Sequence, residues 1–183
     1  SRGLGDVYKR QQIGGATNEE IKQAMPGFRG VDRRFDFKLK NDRIVFISDY
    51  AHHPAEIKQS ISSVRMLYPD KKITAVFQPH LYTRTRDFYK DFADSLSLLD
   101  EVILLDIYPA RELPIEGITS KLIYDNLRPD IEKSMCSKEN LLEVIKHKKT
   151  DVLITLGAGD IENYVPQILS LIHISEPTRP LYI

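Results

Sequence analysis

Apolar residues in this chain recur with two periods, and the periods alternate. Four short runs, Ile44-Val45-Phe46-Ile47, Ile73 to Phe77, Val102-Ile103-Leu104-Leu105 and Val152 to Leu156, are largely apolar without alternation, as strands buried inside a parallel sheet are. Between them lie stretches with a single apolar face at helical spacing: Ile57, Ile61, Val64 and Leu67 behind Pro54, then Phe88, Phe92, Leu96 and Leu99 within Asp87 to Leu99. Pro54 suits a first helical turn, where its missing N–H is not needed. Ile118 to Leu127 and Glu139 to Lys146 are further helical candidates. Arg34 to Lys40 alternates Phe35 and Phe37 with charged neighbours, and Asn41-Asp42 separates it from Arg43 to Ser48, which is a hairpin signal. Upstream, Asn18 ahead of Glu19-Glu20, with Ile21, Ala24 and Met25 behind, predicts a capped helix stopped by Pro26-Gly27. Strands alternate with helices and right-handed crossovers are the rule. The pattern therefore predicts an α/β, Rossmann-like, mostly parallel sheet with helices on both faces and an amino-terminal β-hairpin.

At 183 residues the chain suits one well-cored domain with extra segments rather than two complete domains. Two ends fall outside the pattern. Ser1 to Gln11 has neither period, and Ser170 to Ile183 sets an apolar run beside Pro177 and Pro180 with no helix-stop logic linking it to what precedes; both are expected to be non-native sequence. Lys and Arg together number 26, as do Asp and Glu, so no global basic field speaks for nucleic acid and an anionic ligand must be met locally. No stretch approaches the roughly 20 apolar residues that span a bilayer, so no membrane insertion is expected. The single cysteine, Cys136, sits among polar residues and reads as an incidental thiol of a reducing compartment, which makes the cytoplasm the expected location.

Two polar clusters follow two of the apolar strands: Asp49-Tyr50-Ala51-His52-His53-Pro54 and Gln78-Pro79-His80-Leu81-Tyr82-Thr83-Arg84-Thr85-Arg86. In an open α/β sheet ligands bind outside the carboxyl ends of the strands, where both clusters fall. His80 stands on a strand-end loop, and Arg84 lies in a first helical turn if that helix begins near Thr83. Guanidinium and the N–H groups of the helix end would then both attract a carboxylate or phosphate. Against this, Arg84 and Arg86 could simply pair with Asp87 or Asp91 at the surface. Asp49 could accept ribose hydroxyls and Tyr50 could pack on a base or substrate; the plainer alternative is that Asp49 caps the next helix. Adjacent histidines rarely converge on one ion, and His52-His53 lacks an H-E-x-x-H spacing, so no metal site is expected. Arg33-Arg34, and Arg34 before Arg33, could meet phosphates or form a charged sheet edge. Gly157-Ala158-Gly159 is half of a dinucleotide fingerprint, without the third glycine or an acid about 20 residues on, and a close backbone turn is the simpler reading. Tyr108-Pro109-Ala110-Arg111-Glu112 adds another polar loop at the same sheet edge.

The turn Gly30-Val31-Asp32-Arg33-Arg34-Phe35, the two clusters above, Asp106-Ile107-Tyr108-Pro109-Ala110 and Leu156-Gly157-Ala158-Gly159-Asp160 together resemble, in order, the carboxyl-terminal domain of the Mur ligases, over essentially all of Gly30 to Leu169. The His80-Leu81-Tyr82-Thr83-Arg84 string is most like the members that add L-alanine, rather than those that recycle murein tripeptide. The resemblance implies an ATP- and Mg²⁺-dependent amide ligation in peptidoglycan precursor synthesis: the carboxylate of UDP-N-acetylmuramate is activated as an acyl phosphate, and the L-alanine amine displaces phosphate. It implies that His80 and Arg84 orient the L-alanine carboxylate with Tyr50 and His52 lining the pocket, that Asp49 holds the ATP ribose, and that Arg34 faces the phosphates. Many members carry Arg where Leu81 stands, which would leave the clamp here one donor short. The family keeps its phosphate loop and Mg²⁺ ligands in a central domain, and no G-x-x-x-x-G-K-[ST] occurs in this chain. Residues 12–29 are thus expected to be the tail of a truncated central ATPase domain, and 30–169 the domain that closes over it. The isolated chain is expected not to ligate. A stand-alone nucleotide-binding module and a nicotinamide-dependent oxidoreductase built on the Gly157 loop are the alternatives.

Overall fold

The computed structural model describes residues 14–27 and 31–174; the expectations for Ser1 to Gln11, for Gly30 and for the chain beyond Ile174 lie outside the described residues. Six strands, β1 (Asp36–Lys40), β2 (Val45–Asp49), β3 (Ile73–Phe77), β4 (Glu101–Leu104), β5 (Glu132–Met135) and β6 (Val152–Leu156), form one sheet in the order β1-β2-β6-β3-β4-β5. The helices are α1 (Asn18–Ala24), α2 (Pro54–Leu67), α3 (Tyr82–Leu96), α4 (Lys121–Asn126), α5 (Leu141–Lys146) and α6 (Val165–Ile174). Only β1 runs antiparallel, paired with β2 in the expected hairpin; every other pairing is parallel. The Asn41 side chain shapes the hairpin turn by accepting hydrogen bonds from the N–H groups of Arg43 and Ile44.

The unbroken apolar runs follow from burial on both faces. Val45 and Ile47 of β2, Ile73, Ala75 and Phe77 of β3, Val102 and Leu104 of β4, and Val152, Ile154 and Leu156 of β6 face Ile57, Ile61 and Val64 of α2, Phe92 and Leu96 of α3, and Ile123 of α4. The alternate residues Phe46, Val76, Ile103 and Leu153 face Leu141 and Ile145 of α5 and Val165, Ile168 and Ile172 of α6. Truncating a fully buried Phe46, Phe77 or Phe92 to Ala should cost about 3–5 kcal/mol. At the amino end of the sheet the fully buried Glu101 is held by Lys148 at 2.5 Å and Lys72 at 3.1 Å. Burial would raise its carboxyl pKa, but the two ammonium groups outweigh burial and lower it.

Four elements differ from expectation. The helix predicted from Asp87 begins at Tyr82, because its first turn is polar and carries no apolar period; it kinks at Phe88 (φ −123°, ψ 15°). Strand β5 was not anticipated: Glu132-Lys133-Ser134-Met135 is an edge strand with no apolar face to announce it. Lys133 turns inward, and its Nζ donates to the carbonyls of Tyr124 and Leu127 at the end of α4. The cap of α1 is Thr17 rather than Asn18, in a reciprocal box with Glu20 (Thr17 N to Oε2 2.8 Å, Glu20 N to Thr17 Oγ1 3.3 Å). Finally, α6 runs through Ser170 to Ile174, with Ile172 packed in the second layer. The opposite edge strand, β1, carries a bulge between Phe37 and Leu39, and its Lys38 pairs with Asp36 at 2.6 Å and Asp32 at 3.0 Å. Among the described residues no helix is long and apolar enough to cross a membrane.

Candidate functional site

The polar loops predicted to gather at one sheet edge do gather there, at the carboxyl ends of β2, β3, β4 and β6. Four rings form a row: Tyr50 meets His52 edge-on at 5.3 Å between centroids, His52 meets His80 at 6.1 Å, and His80 stacks on Tyr108 at 5.6 Å and 24°. Arg33 closes one end, its guanidinium 4.8 Å above the Tyr50 ring, while the Arg33 carbonyl accepts from Tyr50 N–H at 2.7 Å. His52 Nδ1 lies 3.0 Å from the Tyr50 carbonyl. A carbonyl only accepts, so that nitrogen carries a proton. Glu56, in the first turn of α2, accepts from the N–H groups of His52 and His53 at 3.1 and 3.3 Å, and Pro54 opens the helix as expected.

His80 and Arg84 come together four residues apart, with Arg84 Nη1 3.4 Å from His80 Nδ1. Guanidinium only donates, so Nδ1 accepts and the His80 proton sits on Nε2. Partial burial, then the charge of Arg84, then His52 lower the His80 pKa, with Glu112 opposing, so the ring is neutral at neutral pH. Arg86 pairs with Asp87 at 2.7 Å, as the surface reading allowed. Arg84 is different: among the described residues no carboxylate pairs with it, so its charge stays uncompensated beside the ring row.

The end of α3 is not the open anion receptacle that the sequence suggests. Its N-cap is Leu81, at φ 73° and without a capping side chain, yet the Thr83 N–H donates to Glu112 Oε2 at 3.0 Å and the Thr83 hydroxyl to Oε1 at 2.5 Å. The protein supplies its own carboxylate there, so an incoming anion meets Arg84 and His80 instead. These Thr83 donors hold the Glu112 pKa below its ordinary value. The loop that carries Glu112 is bonded to the His80 loop at two points, Leu81 N–H to the Tyr108 carbonyl at 2.9 Å and Tyr108 N–H to the Pro79 carbonyl at 2.8 Å.

Gly157 and Gly159 serve a close turn. A Cβ on Gly157, at φ 145°, would lie 2.9 Å from the Gln78 carbonyl; one on Gly159 would lie 2.4 Å from Gln78 Oε1 and 2.8 Å from Tyr108 Cβ. Gln78 is buried and pins this turn to β3, donating to Asp160 at 2.7 Å and accepting from Ile161 N–H at 3.0 Å. Lys138 pairs with the same Asp160.

Two expected residues sit apart from the row. Arg34 is exposed on the bridge to Val31, and it is Arg33 that touches Tyr50. Asp49 is partly buried and accepts from the Ser60 hydroxyl of α2 at 2.6 Å, fastening strand to helix; burial raises its carboxyl pKa. Neither of the readings made for it, ribose acceptor or helix cap, includes that bond. Arg33, Gln78, Tyr108 and Glu112 are the site residues that sequence reasoning underweighted, and their strand-end positions were the available signal. A cavity of about 360 Å³ lies away from the row, between α2 and α3, lined by His53, Lys58, Phe88, Asp91 and Leu98 among others. Among the described residues no group of three or more His, Cys, Asp or Glu side chains could hold a metal ion. Cys136 is half-buried, and burial, with Asp106 nearby, pushes its thiol up to about 11, which makes it an unreactive thiol at neutral pH.

Comparison with known proteins gives a consistent result. Residues 33–159 match the family described as Mur ligase, glutamate ligase domain. The chain is 76% identical over 162 residues to a UDP-N-acetylmuramate--L-alanine ligase of Phocaeicola vulgatus, covering 88% of this chain and 35% of that protein. It is 53% identical over 160 residues to one from Parabacteroides distasonis, covering 87% and 34%. Among solved structures it is similar to a UDP-N-acetylmuramate-alanine ligase of Thermotoga maritima, with a TM-score of 0.75 at 28% identity over 93% of this chain and 36% of that one. The chain spans about a third of the length of the curated relatives it matches.

Proposed function

The chain belongs to the Mur ligase family, in its glutamate ligase domain, and from that membership we propose that it is the amino-acid-binding part of an ATP-dependent ligase that joins L-alanine to UDP-N-acetylmuramate. The observation that carries the reading is the uncompensated Arg84 guanidinium beside a neutral His80 ring at the carboxyl edge of the sheet. Arg84 takes the L-alanine carboxylate through charge-assisted donors, and His80 Nε2–H adds one more. Leu81 contributes no donor, so the clamp rests on these two side chains. Tyr50 and His52 form the adjoining wall. Residues 30–169 make up this domain, and residues 12–29 are the end of the preceding central one.

The chemistry of activation belongs elsewhere in the complete ligase. The sequence has no G-x-x-x-x-G-K-[ST] phosphate loop, so no phosphoryl step is assigned to this chain. For ATP, Arg34 is exposed and available to a phosphate, whereas Asp49 would meet a ribose only with the lone pairs that Ser60 and the backbone N–H groups of Phe35 and Ala51 leave.

The test is a chimera in which residues 31–169 replace the matching segment of the Phocaeicola vulgatus relative, assayed for L-alanine-dependent ADP release. Arg84→Ala should raise the KM for L-alanine at least tenfold, as loss of about 1.5–3 kcal/mol of charge-assisted binding requires, and leave the KM for ATP within about twofold. An unchanged L-alanine KM would remove Arg84 from this role.

A further inference from the structure

Arg84 can hold a carboxylate in register only if the first turn of α3 is fixed, and no N-cap side chain fixes it. Helix ends leave their first N–H groups unpaired, and a polar N-cap side chain ordinarily serves them. Here the N-cap is Leu81, at φ 73°, which offers none. The partner comes instead from 29 positions away, where Glu112 takes the Thr83 N–H with one carboxylate oxygen and the Thr83 hydroxyl with the other.

The same loop governs the other half of the clamp. Tyr108 stacks on the His80 ring and is bonded through its backbone to Pro79 and Leu81 on either side of it. Tyr108 and Glu112 are held at a set spacing by a turn, in which Glu112 N–H donates to the Pro109 carbonyl at 2.9 Å while Ala110 adopts φ 52°. One short segment thus grips His80 at one end and the turn bearing Arg84 at the other. We infer that Glu112 is a positioning residue of the amino-acid clamp, which acts through Thr83 to set where Arg84 meets the substrate carboxylate. This rests on the reading of Arg84 and His80 as that clamp. Glu112 touches neither of the two nitrogens that bind, so it is not itself a ligand.

Two measurements test the inference. In the 15N-labelled 183-residue chain, the Thr83 amide resonance should follow a carboxylate titration below the ordinary glutamate value of 4.5, and lose that dependence in Glu112→Gln. In the chimera described above, Glu112→Gln and Thr83→Val should each raise the KM for L-alanine about tenfold, with the KM for ATP within about twofold and the double variant no worse than either single one. Thr83→Ser, which keeps the hydroxyl and the N–H, should retain the parental KM. A Thr83 amide indifferent to Glu112 overturns the inference. So does an unchanged L-alanine KM in Glu112→Gln when Arg84→Ala still raises it. If Arg84→Ala also has no effect, the clamp reading itself has failed.

Discussion

The neutrality of His80 has a consequence that can be measured directly. Burial and the Arg84 charge lower its pKa from the ordinary 6.5, so the folded state binds the ring proton less readily than the unfolded chain does. The resulting stability is fully present above the unfolded value and is lost as pH falls from there through the folded value. NMR titration of the His80 ring should give a midpoint below 6.5, and Arg84→Ala should move that midpoint upward; a midpoint that stays put in Arg84→Ala would show that the guanidinium does not act on the ring. At this scale the sequence was partly legible. His80, Arg84, Tyr50 and His52 could be singled out because polar residues at the carboxyl ends of parallel strands have few structural duties. Glu112 could not be assigned its bond to Thr83, and Arg34 could not be separated from Arg33, because contacts across 29 residues or a reversal of side-chain direction leave no local periodicity.

Among the elements, the turn after β6 is the least forgiving. Gly159→Ala would drive a Cβ into Gln78 Oε1 and Tyr108 Cβ, and the overpacking should cost about 1–3 kcal/mol in urea unfolding. Because Tyr108 must shift, the His80 resonances should move with it. The opposite end of the sheet makes a separate prediction. Lys148→Met leaves Glu101 buried with Lys72 as its remaining cation, at a cost of about 3 kcal/mol, the low end for a broken buried pair. Glu101 has its pKa lowered, so its contribution is present above the ordinary value of 4.5 and is lost as pH falls through the folded one. The stability gap between the parent and Lys148→Met should therefore narrow as pH falls through that range. Strands β2, β3, β4 and β6 were legible within a residue or so because burial on both faces writes an unbroken apolar run. Strand β5 and the first turn of α3 were not, since what holds them is hydrogen bonding rather than buried side chains.

For the molecule as a whole, the family and the layered fold were legible. The chain by itself should show no ADP formation with L-alanine and UDP-N-acetylmuramate, while the chimera should; turnover by the chain alone would mean that the ATP chemistry has been put in the wrong place. The two outer strands point to a different property. An open sheet whose rims offered flat, apolar strands would extend itself with the next copy it met. Here one rim is bent by the bulge at Phe37 and Leu39 and carries Lys38, and the other consists of Glu132, Lys133 and Ser134 ahead of Met135. Strand-to-strand addition would bury an ammonium or a carboxylate at either side. The domain is thereby guarded against fibre-like growth even when crowded, so replacing Lys38 and Lys133 with Val should be felt first in light scattering at high concentration rather than in any assay of binding.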